Sequence, residues 1–155
     1  MRDSGRVSTY SVVVALHIIA VIAAYGLPLT APLLVPYVLR HHPAALPGLH
    51  AAQYRLNNVV TGPGTVLALG LGIYLASEGD HWDEPFVGIG LGAIAIIAVV
   101  GGGVIVPALK RLAVLDPVSS DYAAVYRRYM TAESFLGAVV VLTILCMAAK
   151  PFSSL

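Results

Sequence analysis

Charged side chains are scarce in this sequence. Asp, Glu, Lys and Arg make up 11% of its 155 residues, whereas soluble domains carry roughly 25%. The formal net charge is only +1, so the chain lacks the basic excess that would indicate a nucleic-acid partner. Apolar residues supply 58% of the chain, and the mean hydropathy is +0.84. This composition excludes an ordinary soluble domain and indicates a membrane protein in contact with a lipid bilayer.

Cysteine and the common catalytic motifs are also missing. A single cysteine, Cys146, excludes an internal disulfide and any metal site built from several thiolates. The sequence contains no nucleophile elbow, phosphate loop, zinc-protease helix or dinucleotide-binding motif. The enzyme classes that these motifs mark are therefore not indicated.

Long uncharged runs are the dominant feature. The four longest stretches without Asp, Glu, Lys or Arg are 33, 22, 25 and 16 residues long. About 20 apolar residues span a bilayer core. We therefore predict an all-α, polytopic membrane protein consisting of one four-helix transmembrane bundle. The predicted spans are approximately residues 8–39, 56–77, 85–109 and 129–149. The basic start of the chain could belong to a signal peptide, but we interpret it as a retained first helix.

The fourth uncharged run, residues 134–149, is too short to span a bilayer. At about 1.5 Å per residue it covers roughly 24 Å of a core that is about 30 Å thick. We therefore expect the helix to begin near Tyr129 and to carry Glu133 into or just under the membrane. The alternative places Glu133 at the headgroup level beside locally thinned lipid.

Charge in the connectors predicts how the chain is threaded. The middle loop, residues 78–85, contains four carboxylates and no Lys or Arg. The other two connectors are basic, and the positive-inside rule places them in the cytoplasm. We predict a multi-pass protein of a bacterial-type inner (plasma) membrane, with both termini and the 78–85 loop outside. Arg2 and Arg6 weigh weakly against this orientation, and Trp82 fits an interfacial anchor.

Three prolines share one stripe of the first span. Pro28, Pro32 and Pro36 are spaced by four residues, and His17 and Tyr25 continue the stripe. Each proline frees a carbonyl one turn back, which must be satisfied by protein or water. This stripe should therefore face the bundle interior. The prolines with expected structural roles are Pro28, Pro32, Pro36, Pro63 and Pro107.

Two segments of the chain resemble each other at a spacing of 71 to 72 residues. The sequence of residues 51–55 is similar to that of residues 123–127, and Val-Pro pairs at 35–36 and 106–107 precede them. This similarity predicts a duplicated helical hairpin with its halves in parallel orientation. It also places Glu133 opposite Thr61. We expect a polar cluster there, formed by Arg55, Asn57, Asn58, Arg127 and Glu133.

Glycines in the second and third spans suggest close helix packing. Gly88 and Gly92 form a small-xxx-small pair. We favour packing between helices of the same chain, and the alternative is the face of a homo-oligomer or a larger membrane complex.

Three short motifs carry a resemblance to a known family. Leu16-His17 lies in the first span, Gly62-Pro63-Gly64 opens the second span, and residues 72–76 close it. With these motifs the chain resembles an uncharacterised family of predicted integral membrane proteins related to the copper-resistance-D-like (CopD) proteins and, distantly, to the HemJ-type protoporphyrinogen oxidases. The resemblance implies a four-helix membrane unit. Its copper-resistance relatives imply metal handling, and the HemJ-type proteins imply haem linked to a membrane histidine. Only His17 matches such a ligand.

Two ionisable residues within the spans are candidate functional groups, since such residues are costly in lipid. His17 could ligate haem iron or a metal, or relay a proton; alternatively it is a neutral, hydrogen-bonded histidine. Glu133 could form a proton- or cation-coupled site; alternatively it pairs with Arg55 or Arg127, or bonds to Asn57 or Asn58.

Two further clusters lie in the connectors. His41, His42 and His50 could form a transition-metal site, although three histidines in one turn often bind nothing specific. The acidic 78–85 loop could hold a hard cation, but it is also explained as a solvated outer loop.

Three functional hypotheses follow. The first is binding or transport of a small molecule or cation, with His17, Tyr25, Asn57, Asn58 and Glu133 as ligand-binding residues. The second is a haem-b membrane oxidoreductase with His17 as axial ligand, so that haem b or a transition metal would be the cofactor. The third is a structural subunit of a larger membrane assembly.

Overall fold

The fold consists of four long helical rods. A computed structural model describes residues 8–149, and among these no β-strand occurs. The described residues do not include the basic start of the chain, with Arg2 and Arg6, or Lys150. Each rod is long and apolar enough to cross a membrane. The predicted all-α bundle of four transmembrane helices is therefore confirmed.

Two of the rods are interrupted helices. The first rod is α1, Thr9–His41. The second contains a 3-10 turn, two helices and an intervening π turn. The third contains two helices and a second π turn, and the fourth is a single helix. In chain order the elements after α1 are the 3-10 turn Pro43–Ala45, α2 Leu46–Leu56, the π turn Asn57–Thr61, α3 Gly62–Glu78, α4 Pro85–Val100, the π turn Gly101–Ile105, α5 Val106–Leu112 and α6 Ser120–Ala149.

Each π turn ends two residues before a proline. Pro63 lies in the first turn of α3 and Pro107 in the first turn of α5. A proline within a helix has no N–H to donate, and its ring collides with the carbonyl four residues back. A π turn widens the helix at that place by one residue. The wider turn lets both rods continue past the proline, which explains why the two π turns occur where they do.

The three prolines of α1 are accommodated without a break, since α1 is one helix over its whole length. Pro28, Pro32 and Pro36 are all half-buried, and Tyr25 is buried. The proline stripe therefore lies along the edge of the inward face of α1, and of the three prolines only Pro28 lines the inner cavity described below.

The start of α6 differs from the prediction. The helix begins at Ser120, not near Tyr129. The side chain of Ser119 accepts a hydrogen bond from the Tyr122 N–H at 3.1 Å, which caps the first turn. The uncharged run predicts where the chain enters lipid, but the helix extends beyond that point. Glu133 consequently lies well inside α6.

The rods pack as a bundle whose larger core lies at the end that carries the basic connectors, here called the basic end. Helix α1 packs against α3 and α6, α4 against α6, and α2 against α5. The buried core of the basic end includes Leu46, Leu112, Tyr122 and Tyr129.

The outer faces of the rods are apolar. Leu33 is 80% exposed, Val99 72% and Val66 71%. Exposure of so many large apolar side chains is costly in water and neutral in a bilayer. The outer surface therefore suits lipid.

The glycines do not pack as the sequence suggested. A Cβ added at Gly88 or Gly92 would meet no atom within 4 Å. The expectation that this pair brings helices of the same chain together was wrong, because these two glycines lie on a bare face. Close packing occurs elsewhere. A Cβ on Gly64 would lie 3.0 Å from the Cβ of Ala24, so it is Gly64 that lets α3 approach α1.

Candidate functional site

A cavity lies where all four rods meet. Its volume is about 160 Å³, and both π turns contribute to its wall. Asn57 and Thr61 come from the first π turn, and Gly101 and Ile105 from the second. The wall is mainly apolar, with polar groups at a few places. Its polar residues are Tyr25, Thr30, Gln53, Asn57, Thr61, Tyr129 and Glu133.

Among residues 8–149, Glu133 is the only carboxyl group in the cavity wall. It is 5% exposed, and its Oε2 has no hydrogen-bond partner among residues 8–149. A buried carboxyl group in this state is costly, since no protein donor compensates at Oε2 for its lost hydration. An uncompensated group in a concave, apolar site is a typical feature of a binding or catalytic position.

The expected partners of Glu133 do not reach it. Arg55 and Arg127 are exposed, and neither forms an ion pair with Glu133. Asn58 is also exposed and donates to the backbone carbonyl of Tyr54 at 2.8 Å. Of the predicted polar cluster, the structure brings only Asn57 to the same cavity as Glu133. The arginines point away because they lie on the outer faces of their helices.

A hydroxyl chain forms one side of the cavity wall. The Tyr25 hydroxyl donates to Thr65 Oγ1 at 3.0 Å. Thr65 in turn donates to the backbone carbonyl of Thr61 at 2.8 Å. This pair of bonds ties α1 to α3 and to the first π turn. Tyr25, predicted as a ligand-binding residue, therefore lines the cavity with its hydroxyl already engaged as a donor.

A buried polar network adjoins the opposite side. His50 has no exposed surface. Its Nδ1 lies 3.0 Å from Gln53 Oε1, and its Nε2 lies 3.0 Å from the Tyr122 hydroxyl. The ring of Tyr129 packs edge-on against the His50 ring, with centroids 5.9 Å apart. The network joins α2 to α6 in the core of the basic end.

The hydrogen bonds of this network run in one direction. Gln53 Oε1 can only accept, so Nδ1 of a neutral His50 carries the proton. Nε2 is then an acceptor, and the Tyr122 hydroxyl donates to it. Gln53 also hydrogen-bonds the side chain of Tyr129, and with Oε1 engaged its amide N–H is the donor. The Tyr129 hydroxyl proton therefore remains available to a group in the cavity.

Tyr129 is the last member of that network, and Glu133 lies next to it. The two residues are one turn apart on α6, line the same cavity, and interact electrostatically. Sequence reasoning missed His50, Gln53, Tyr122 and Tyr129 as a unit, because the link between His50 and Tyr122 joins residues far apart in the chain.

His17 lies in a different place, between α1 and α3. Its ring hydrogen-bonds the Ala68 backbone, and its Nδ1 has no partner among the described residues. A Cβ added at Gly72 would lie 3.2 Å from Cε1 and 3.7 Å from Nδ1. The His17 ring is therefore packed closely against α3 at Gly72. His17 also lines neither this cavity nor the cleft described below.

The connector histidines do not come together. His41 and His42 are exposed near the ring of Tyr37, whereas both ring nitrogens of the buried His50 are engaged.

In the acidic loop, Asp80 has a positive φ of 51°, a conformation that Asp tolerates. Across residues 8–149, no group of three or more His, Cys, Asp or Glu side chains could hold a metal ion.

Comparisons with known proteins add no family to this description. The chain matches no protein-family model, no curated protein and no solved structure.

Proposed function

We propose that this protein binds a small cation inside the membrane, with Glu133 as the anionic partner. One observation carries the proposal: a buried carboxyl group without a partner at Oε2 lies in the wall of a cavity. Such a group either holds a proton or is neutralised by a cation. A bound cation would supply the interaction that the protein itself leaves out, and its entry would release the proton.

The size and lining of the cavity favour an organic cation with an apolar body. An engineered apolar cavity of about 150 Å³ accepts benzene, and this cavity has about 160 Å³. Most of its wall consists of Leu, Ile, Ala and Pro side chains, which suit hydrocarbon. The charged head would lie against Glu133, with Asn57 and Gln53 as polar neighbours. A primary ammonium group on a benzyl-sized body meets these conditions.

Carbodiimide labelling tests the proposal. Dicyclohexylcarbodiimide reacts with carboxyl groups in apolar surroundings, so it should modify Glu133 and spare the exposed Glu78. Benzylammonium should slow the modification, whereas benzyl alcohol, which has the same shape without the charge, should not. Mass spectrometry of the digested protein measures both effects, and the variant Glu133→Gln shows the background.

Two results would refute this function. Modification of Glu78 and Glu133 at equal rates would mean that Glu133 is not in a dry cavity. Equal protection by benzylammonium and benzyl alcohol would mean that the cavity selects for shape alone, without a role for charge. Sodium chloride at matched ionic strength separates a specific cation effect from general screening.

The haem alternative has less support. The resemblance to the CopD and HemJ-type proteins rests on short motifs, and its key residue is His17. Its ring is packed against Gly72 and the Ala68 backbone. We therefore carry the family relationship only as a proposal and derive no step through haem. An absorbance spectrum without a Soret band is the expected result for the purified protein.

We further propose that the basic end lies in the cytoplasm of a bacterial-type cell and that the two halves of the chain are parallel repeats. The positive-inside rule supports the cytoplasmic placement of the basic end. The contact between His50 and Tyr122 supports the parallel repeats, because their separation of 72 residues equals the repeat spacing. Equivalent residues meet in this way only near a pseudo-twofold axis. Labelling engineered cysteines beside Asp80 and Lys110 from outside the cell tests the threading; reaction beside Lys110 alone would invert it.

A further inference from the structure

A second cleft lies on the outside of the basic end, between α5 and α6. Its volume is about 350 Å³, which falls within the ~300–1,000 Å³ range of small-ligand sites. One wall comes from the second π turn and α5, and the other from the first turns of α6. The lining residues are Gly103, Val104, Pro107, Ala108, Arg111, Asp121, Ala124, Val125 and Arg128.

The cleft has a charged part and an apolar part. Arg111 comes from the last turn of α5 and Arg128 from α6, so two helices each supply one guanidinium. Both arginines are exposed, and no ion pair with either is formed by the residues that the structure describes. The exposed carboxylate of Asp121 also borders the cleft. The net charge of the lining is therefore positive.

The apolar part points toward the middle of the rod. Gly103 and Val104 lie in the π turn, about two turns before Arg111. A Cβ added at Gly103 would meet nothing within 4 Å, so this end of the cleft is open. A ligand lying here would touch guanidinium groups at one end and hydrocarbon at the other.

We propose that this cleft binds the phosphate of an anionic phospholipid, with the start of one acyl chain along Gly103 and Val104. Guanidinium groups bind phosphate oxygens with paired, charge-assisted hydrogen bonds. Basic pockets beside transmembrane helices are suited to lipid headgroups. Free phosphate would use the same arginines but would gain nothing from the apolar part. The proposal does not depend on the ligand of the inner cavity.

Native mass spectrometry of the detergent-purified full chain tests this site. Phosphatidylglycerol is titrated, with phosphatidylcholine as the zwitterionic comparison. The double variant R111Q/R128Q should weaken phosphatidylglycerol binding about tenfold or more, since it removes charge-assisted hydrogen bonds. The double variant K110Q/R127Q removes the same charge from the same helices, but outside the cleft, and should change binding by less than about twofold.

Three further variants and a competition with inorganic phosphate test the apolar part of the cleft, its charge and the source of the phosphate. Gly103→Leu should block the apolar end and weaken lipid binding, whereas Gly102→Leu, whose position does not line the cleft, should not. Asp121→Asn removes the opposing charge and should tighten binding by about twofold. An excess of inorganic phosphate should leave the lipid bound.

Three results would overturn the proposal. Equal losses in the two double variants would show that only diffuse charge acts. Equal binding of phosphatidylglycerol and phosphatidylcholine would show that the arginines do not select an anion. Displacement of the lipid by inorganic phosphate, together with unchanged binding in Gly103→Leu, would assign the cleft to free phosphate. Circular dichroism verifies that each variant is folded.

Discussion

Replacing Glu133 by methionine should make the protein more stable. The side chain is 5% exposed and its Oε2 has no partner among the described residues. A buried polar group in that state costs about 1–3 kcal/mol even when neutral, and more when charged. Methionine has a similar length, is flexible and carries no such cost. We therefore expect Glu133→Met to raise the free energy of unfolding by about 1–3 kcal/mol.

Thermal unfolding in detergent, followed by circular dichroism, measures this change. For a chain of about 150 residues, each kcal/mol shifts Tm by about 2–4 °C, so the expected increase is about 2–12 °C. Leu136→Met is the matched control, because Leu136 lines the same cavity and is already apolar. That swap conserves volume and should cost less than about 1.5 kcal/mol.

A lower Tm for Glu133→Met would refute the reasoning. It would mean that Glu133 makes a stabilising interaction within the fold, as a structural ion pair or hydrogen bond does. A higher Tm is the pattern of a residue kept for function at a cost in stability.

Four more substitutions, two tests each with a matched control, probe the hydrogen bond to His50 and the packing of α1 on α3. Tyr122→Phe leaves Nε2 of the buried His50 without its donor and should lower the free energy of unfolding by about 1–3 kcal/mol. Tyr37→Phe, at a position 56% exposed, should change it by less than about 0.5 kcal/mol. Gly64→Ala should cost about 1–3 kcal/mol, because the added Cβ would lie 3.3 Å from the backbone of α1. Gly88→Ala meets open space and should gain up to about 1 kcal/mol from helix propensity.

Thermal unfolding in the same detergent measures all four variants. Similar losses in the two tyrosine variants would show that the hydrogen bond to His50 contributes nothing. A gain for Gly64→Ala would show that α1 and α3 are loosely packed, and a large loss for Gly88→Ala would show that its face is covered by another molecule.

The number and character of the rods could be predicted from sequence because lipid selects by composition. Each uncharged run corresponds to one rod, and the two basic connectors lie at one end. The helix limits could not be predicted in the same way, since hydropathy changes at the lipid surface while hydrogen bonding continues beyond it. The cap at Ser119 was readable from its Ser-Ser-Asp sequence and would have corrected the start of α6.

The candidate site was predictable in part. Glu133 stood out because a carboxyl group in a span is costly, and Tyr25 because it shares the proline stripe. The partners of His50 were not predictable from local sequence. Sequence proximity grouped His50 with His41 and His42, whereas the fold gives it Tyr122, which lies 72 residues away. Contacts of this kind depend on how the rods dock, and composition does not determine that.

The two π turns have a consequence for chain length. A π turn holds one residue more than the α-helical turn it replaces, so deleting a single residue from 57–61 or 101–105 would restore regular winding. The helices on both flanks of the deletion would keep their facing, because a π turn completes about the same rotation as the shorter α-helical turn. The change would be confined to the cavity wall, to which both π turns contribute residues. A one-residue deletion at either place should therefore remodel the inner surface of this protein while its outer, apolar surface stays as it is.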